Sequence, residues 1–228
     1  MGMHVTPNRT LIGSIYERLP QAKTHRNIFP TGLSGRTVFL SRGDNPFGTA
    51  DSTSHYIFPV NAVVVKHHAQ KGSVGEQIAM YGFDDFYGPQ VDTATAYQVL
   101  QPGEAIAVLT GDLRRCQHAF DRLSIEQQAR QIQSLANEIR CTARHTSTQR
   151  IARWILSVAL RSPLKEIWVS QSFLGGLLAL RRETVADALA NLEAAGAIFC
   201  SRSKITLLDL SLISASCCDC DDLVPQSL

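Results

Sequence analysis

The sequence predicts an α+β protein: a region of short strands, then one long helix, then a compact helix-turn-helix followed by a β-wing. Three observations carry this. Short β-type segments separated by turn residues occupy much of positions 37–109. Ile125, Ala129, Ile132, Ala136, Ile139 and Ala143 then recur at alternating three- and four-residue steps. Within 169–198, two short amphipathic stretches stand on either side of a tight break.

The bulk properties set bounds. The 228 residues and 44% hydrophobic content suit one large domain or two modest ones. A formal net charge of +2 excludes a polycation that coats nucleic acid indiscriminately, so any DNA contact needs a local basic face. No apolar run approaches about 18 residues, which excludes a membrane-spanning helix, and no membrane partner is expected. Residues 1–10 lack the apolar core of a signal peptide, and a cytoplasmic protein is expected.

In chain order, 8–19 reads as a short amphipathic helix with Leu11, Ile12, Ile15, Tyr16 and Leu19 on one side, closed by Pro20. Strand-like segments follow at 37–40, 55–58, 62–67, 76–81, 94–100 and 105–109. Turns fall at 43–46, 70–75 and 101–104. Many short strands at regular intervals imply a small all-β barrel or sandwich.

Residues 112–144 read as the long helix. Its Ile/Ala stripe is narrow and flanked by Gln, Arg, Glu and Asn, as in a two-helix seam; the alternative is a stripe packed on the chain's own β region. After His145 a new helix starts, with Thr146 or Ser147 as cap and Ile151, Trp154, Ile155, Val158 and Ala159 on its buried face. Ser162-Pro163 ends it, and Ile167, Trp168 and Val169 form a short strand.

Ser170 then caps a helix whose Phe173, Leu174, Leu177 and Leu178 repeat at helical spacing. A second helix carries Val185, Leu189 and Leu192 on one stripe and ends at Gly196. Its first turns present Arg181, Arg182, Glu183, Thr184 and, a turn later, Asp187. In a helix-turn-helix the N-terminal side chains of the second helix meet base edges in the major groove. Arg pairs in bidentate fashion with guanine, and a carboxylate accepts from the cytosine amino group. Residues 199–208 form two strands around a basic turn, a wing on which Arg202 and Lys204 reach flanking phosphates.

Arg182-Glu183-Thr184-Val185, then Leu189, Leu192-Glu193, Gly196 and Ile198, resemble the winged helix-turn-helix of the Crp/Fnr transcription regulators. Less sharply, Tyr56-Ile57-Phe58-Pro59, Ala62-Val63-Val64 and Gln101-Pro102-Gly103-Glu104-Ala105 resemble the β-roll of the same family. The resemblance covers about 37–220 and implies a jelly-roll-like β-roll sensor domain at 1–111, a dimerisation helix and hinge at 112–145, and a winged helix-turn-helix at 146–228. It implies a homodimer on a palindromic operator in double-stranded DNA, and it admits RNA polymerase as a further partner. Ser170 and Gln171 fall at phosphate-contacting positions, and Arg182 and Glu183 at base-reading ones. Two positions depart from the family pattern: Arg181 replaces a small residue, and Asp187 stands where Arg is common.

Within the family, cyclic-nucleotide binding needs a Gly-Glu turn and an Arg-Ser pair. The matching stretch here, 81–92, holds no Arg and three carboxylates, so a regulator independent of cyclic nucleotides is expected. No cysteine precedes Cys116, against an N-terminal iron–sulfur cluster. His67 and His68, neighbours on a strand, point to opposite faces and do not chelate one ion together. Cys116, Cys141 and Cys200 are scattered, and Cys217, Cys218 and Cys220 are too close together for a CxxC…CxxC zinc pattern. No cofactor or metal is expected. The alternative is a thiol- or metal-responsive regulator using the three tail cysteines. No nucleophile motif, Walker loop or zinc-protease signature points to an enzyme.

Overall fold

A computed structural model describes residues 4–11, 34–46, 54–89 and 93–220. Two compact units divide the chain: Met1–Lys66 with Ala79–Arg130, and His67–Ile78 with Gln131–Leu228.

In the first unit, β1 (His4–Leu11), β2 (Ser34–Leu40), β3 (His55–Pro59) and β7 (Gly103–Leu109) form one antiparallel sheet in the order β1-β2-β7-β3. The strands β4 (Val63–Gln70), β5 (Ser73–Tyr81) and β6 (Thr95–Gln101) form a second sheet, ordered β5-β4-β6, of which residues 67–78 are assigned to the second unit. All but the first match strand segments read from the sequence. The β4–β5 turn is tighter than the expected 70–75, because both strands run on to a two-residue turn in which Gly72 has φ +76°.

Residues 8–11 correct the reading of 8–19 as a helix. They end β1, where Arg9 pairs with Arg36, Thr10 with Gly35 and Leu11 with Ser34. Pairing with β2 satisfies the backbone groups that a helix turn would have used, so tertiary hydrogen bonding overrides a local apolar period. Residues 12–19 lie outside the described residues.

Successive strand residues face opposite sides, and β3 and β7 use both sides. Phe58, Ile106 and Val108 point into one cluster with Phe86, Leu113, Phe120 and Leu123. Ile57, Ala105 and Ala107 point into another with Val38, Leu40, Val64, Tyr81, Tyr87, Tyr97 and Val99. Each fully buried large side chain contributes roughly 1.5–3 kcal/mol. The near-continuous apolar run 105–108 is therefore a strand buried on both faces.

The expected helix 112–144 is broken at its start. A short α1 (Thr110–Leu113) passes into a 3-10 turn at Arg114–Cys116, and α2 occupies Gln117–Arg144. The apolar pattern, which runs on through Leu113, Phe120 and Leu123, carries no signal for this break. Ile125, Ile132 and Ile139 are 67%, 69% and 73% exposed, and Ala129, Ala136 and Ala143 are exposed too. Among the described residues no helix is long and apolar enough to cross a membrane.

Candidate nucleic-acid interface

The second unit is built on α3 (Ser147–Arg161), α4 (Gln171–Leu178), α5 (Arg182–Ala194) and α6 (Leu210–Ala215). A sheet of β8 (Glu166–Ile167), β9 (Ile198–Ser201) and β10 (Lys204–Leu207) accompanies them, ordered β8-β10-β9.

Thr146 starts α3 through a reciprocal capping box with Gln149. Ile151, Trp154, Ile155 and Val158 are buried on it, and the helix stops at Arg161, before Ser162-Pro163. The strand expected at 167–169 is shifted to 166–167, because β10 offers only two pairing positions there, Ile205 to Ile167 and Thr206 to Glu166.

Ser170 accepts from the Phe173 N–H at 3.1 Å and so caps α4, while Leu174, Leu177 and Leu178 are buried. The helix ends at Ala179, whose φ of 51° and ψ of 47° are left-handed, a conformation that costs an L residue about 1 kcal/mol. The Leu180 N–H donates to the Gly175 carbonyl at 2.8 Å. A Cβ on Gly175 would meet the Leu180 carbonyl oxygen at 2.7 Å, so glycine is what lets the turn close this tightly.

Arg181 then begins α5 in an extended conformation without using its side chain as a cap. Val185, Ala188, Leu189 and Leu192 face inward, and Gly196, with φ +74°, ends the segment as expected. Arg181, Arg182, Glu183 and Asp187 are all exposed, and Thr184 is half-buried. Glu183 and Asp187, four residues apart, lie along one face. Two guanidiniums and two carboxylates thus stand at the open end of a helix whose opposite face is buried.

The wing follows the sequence reading. Lys204 pairs with Ser201 and Leu207 with Ile198 across a turn at 202–203. Arg202 sits exposed at its tip with φ 43°. Lys204 is placed differently: its Nζ lies 2.8 Å from Glu166 Oε1 and 5.2 Å from the centre of the Trp168 ring. A pair this exposed contributes roughly 0–1 kcal/mol, so it does not hold the ammonium firmly. Gln171 is half-buried at the start of α4, beside the cap.

Several residues that position this surface carry no signal in the sequence reading. Arg150, buried on α3, donates from Nη2 to the Leu178 carbonyl at 2.6 Å, tying the end of α4. Glu138 of α2 forms ion pairs with Arg150 and Arg153. Trp154 Nε1 donates to Gln77 Oε1 at 2.9 Å. Cys141, far in sequence from the tail, lies 3.5 Å from Cys218, sulfur to sulfur. Burial and this neighbour push its thiol well up, and the charge of Arg150 pulls the other way.

Residues 149–215 match the family model described as the Crp-like helix-turn-helix domain. The C-terminal segment is a Crp-like helix-turn-helix domain. Solved structures extend the likeness beyond it. FixK2 from Bradyrhizobium japonicum superposes with a TM-score of 0.61 at 16% identity, over 81% of this chain and 98% of that one. TTHB099, a CRP-family transcriptional regulator from Thermus thermophilus, gives 0.59 at 19%, over 78% and 95%. A CooA mutant from Carboxydothermus hydrogenoformans gives 0.54 at 12%, over 93% and 97%. At these identities the likeness shows a shared fold. A sequence search of curated proteins finds no match. That Crp-like domain agrees with the winged helix-turn-helix expected from the resemblance to the Crp/Fnr regulators.

Proposed function

We propose that the chain is a Crp/Fnr-type transcription regulator that binds a palindromic operator as a homodimer and does so without a cyclic nucleotide. The carrying observation is the exposed set Arg181, Arg182, Glu183 and Asp187 on a helix whose other face is fully used in packing. In this reading Arg181, Arg182, Glu183 and Asp187 meet bases and Thr184 lies beside them. Ser170, Gln171, Arg202 and Lys204 hold phosphates. The domain division is the one read from the sequence, 1–111, 112–145 and 146–228.

The exposed Ile125, Ile132 and Ile139 support the dimer, since an apolar stripe this regular costs free energy in water and is covered by a second copy of itself. Two recognition helices about one DNA turn apart then read a two-fold site. RNA polymerase is the further partner the family implies.

Independence from cyclic nucleotides rests on the loop at 82–89. Asp85 accepts from the Gly82 N–H at 3.2 Å and lies 3.8 Å from Arg130. Gln127 brackets Phe86, accepting from its N–H at 2.9 Å and donating to its carbonyl at 2.5 Å. Asp85 and the Phe86 backbone are engaged with the loop itself and with α2, and residues 82–89 carry no cation of their own to face an anion. Beside it, Tyr81, Tyr87 and Tyr97 pack with ring centres 5.2–6.1 Å apart, filling that side of the β-roll.

Selection of bound sequences from random duplex DNA tests the proposal. The expected result is a two-fold motif with half-sites about 10 bp apart, unchanged in affinity by added cyclic AMP. Recovery of only weak, salt-sensitive, sequence-independent binding would count against the reading of α5.

A further inference from the structure

Away from the DNA-facing surface, four side chains suited to a soft metal ion meet at one point. Cys141 and His145 are four residues apart at the end of α2 and the residue after it, so they share a face. After α6 the tail returns to this face. Cys218 Sγ lies 3.5 Å from Cys141 Sγ, and Cys220 Sγ lies 3.2 Å from His145 Nδ1. One donor atom from each of the four residues lies within 4.8 Å of the others. A tetrahedral zinc ion, with bonds of about 2.3 Å to sulfur and 2.0–2.1 Å to imidazole nitrogen, needs donors roughly 3.5–3.8 Å apart. The observed spacing brackets that requirement.

The surroundings suit the same ion. Cys141 and Cys220 are buried, at 0% and 3% exposed. Nδ1 of His145 is turned inward toward Cys220, leaving Nε2 on the outer side, 3.8 Å from the exposed carboxylate of Asp219. Arg140 donates from Nη2 to the Cys220 carbonyl at 2.9 Å, which holds the tail in place. The Cys217 thiol is turned away, donating to the Ile213 carbonyl at 3.2 Å.

We propose that Cys141, His145, Cys218 and Cys220 form a closed tetrahedral site for a thiophilic divalent cation of the zinc class, fastening the C-terminal tail to the end of α2. Four protein ligands leave no open position, so the ion is structural and not catalytic. It sits one residue before the Thr146 cap, where it stiffens the junction between α2 and α3. The site is independent of the DNA-binding reading and is tested without DNA.

The test is anaerobic titration of the full-length, metal-stripped, reduced chain with Co2+. The expected result is one cobalt per chain, with thiolate-to-cobalt charge transfer and the intense visible bands of tetrahedral coordination, displaced by one equivalent of Zn2+. C218S and C220S, which alter only the tail, should lose this spectrum while keeping the wild-type circular dichroism. C116S, C200S and C217S should retain it. Absence of a tetrahedral spectrum, its survival in both C218S and C220S, or its loss in C217S would overturn the site. A Cys141–Cys218 disulfide persisting in the reduced protein would do the same.

Discussion

Arg150 Nη2 donates to the Leu178 carbonyl at 2.6 Å, joining the first helix of the DNA-binding-type domain to the end of the first helix of its helix-turn-helix. The same guanidinium lies 3.6 Å from Glu138, so it also ties this end to α2. Replacing Arg150 by Met leaves a carbonyl at a helix end without its charged donor. The expected loss is about 2 kcal/mol, the size of a hydrogen bond to a charged group. Urea unfolding should show a lower midpoint with an unchanged slope. Arg150→Lys should recover only part, because the shorter lysine side chain does not place its ammonium where Nη2 of the guanidinium meets both acceptors.

Arg182 and Arg202 are both exposed cations, but the proposal gives them different work. Arg182→Ala should cost about 1–3 kcal/mol on the selected operator and relax preference at one base pair in each half-site. Arg202→Ala should weaken all sequences alike and lower the slope of log affinity against log salt by about one per subunit. Binding curves at several salt concentrations, on operator and scrambled duplex, separate the two. Equal behaviour of the variants would remove the distinction between base reading and phosphate holding.

Ile132 and Ile139 lie seven residues apart on the exposed stripe of α2. In a two-helix seam, lysines at both positions place like charges against each other in an apolar contact. The double variant Ile132→Lys, Ile139→Lys should sediment as a monomer where the native chain sediments as a dimer, with circular dichroism unchanged. A dimer that survives the double change would place the interface elsewhere.

Local signals make much of the C-terminal domain legible. Ser170 and Thr146 are caps, Val185, Leu189 and Leu192 mark a buried stripe, and Gly196 takes a positive φ, all within one or two turns of the residues that reveal them. The left-handed Ala179 is invisible in the sequence, because nothing about alanine announces that conformation; it is imposed by the closing of α4 against Leu180. The residues of β1 mislead because their partner, β2, lies more than twenty residues on, and an apolar period over a few positions does not record a strand partner. Arg150 to Leu178 and Cys141 to Cys218 are separations of 28 and 77 residues. Spacing along the chain makes the cysteines look scattered, and only the return of the tail brings Cys218 and Cys220 to Cys141 and His145.

Cys200 should be a slow thiol. Burial, and next to it the carboxylate of Glu193, push it up to about 11 from an ordinary 9.0. Only the thiolate alkylates, so at pH 8 a shift of this size lowers the reactive fraction about 100-fold. Glu193→Gln removes the nearby negative charge and should raise the alkylation rate at Cys200, read by mass spectrometry of the peptide. An unchanged rate would assign the whole effect to burial.

Asp209 links acidity to the tail. It caps α6, accepting from the Ser211 N–H at 2.8 Å, the Ser211 hydroxyl at 2.5 Å and the Leu212 N–H at 3.2 Å. The Ser211 hydroxyl first, then the two backbone donors, hold its carboxyl below the usual value. A folded-state value below the unfolded one means that the carboxylate stabilises α6 above the unfolded pKa, about 3.9, and that this contribution is lost as pH falls through the folded one. Asp209→Asn keeps a capping oxygen without the charge. The native chain should therefore protect the Leu212 and Ile213 amides from exchange better than the variant at pH 7, with the difference closing only as the pH falls below about 3.9. Asp209→Ala should lose protection throughout. A gap between native and Asn chains that stays constant with pH would mean that the charge contributes nothing and that the cap acts by geometry alone.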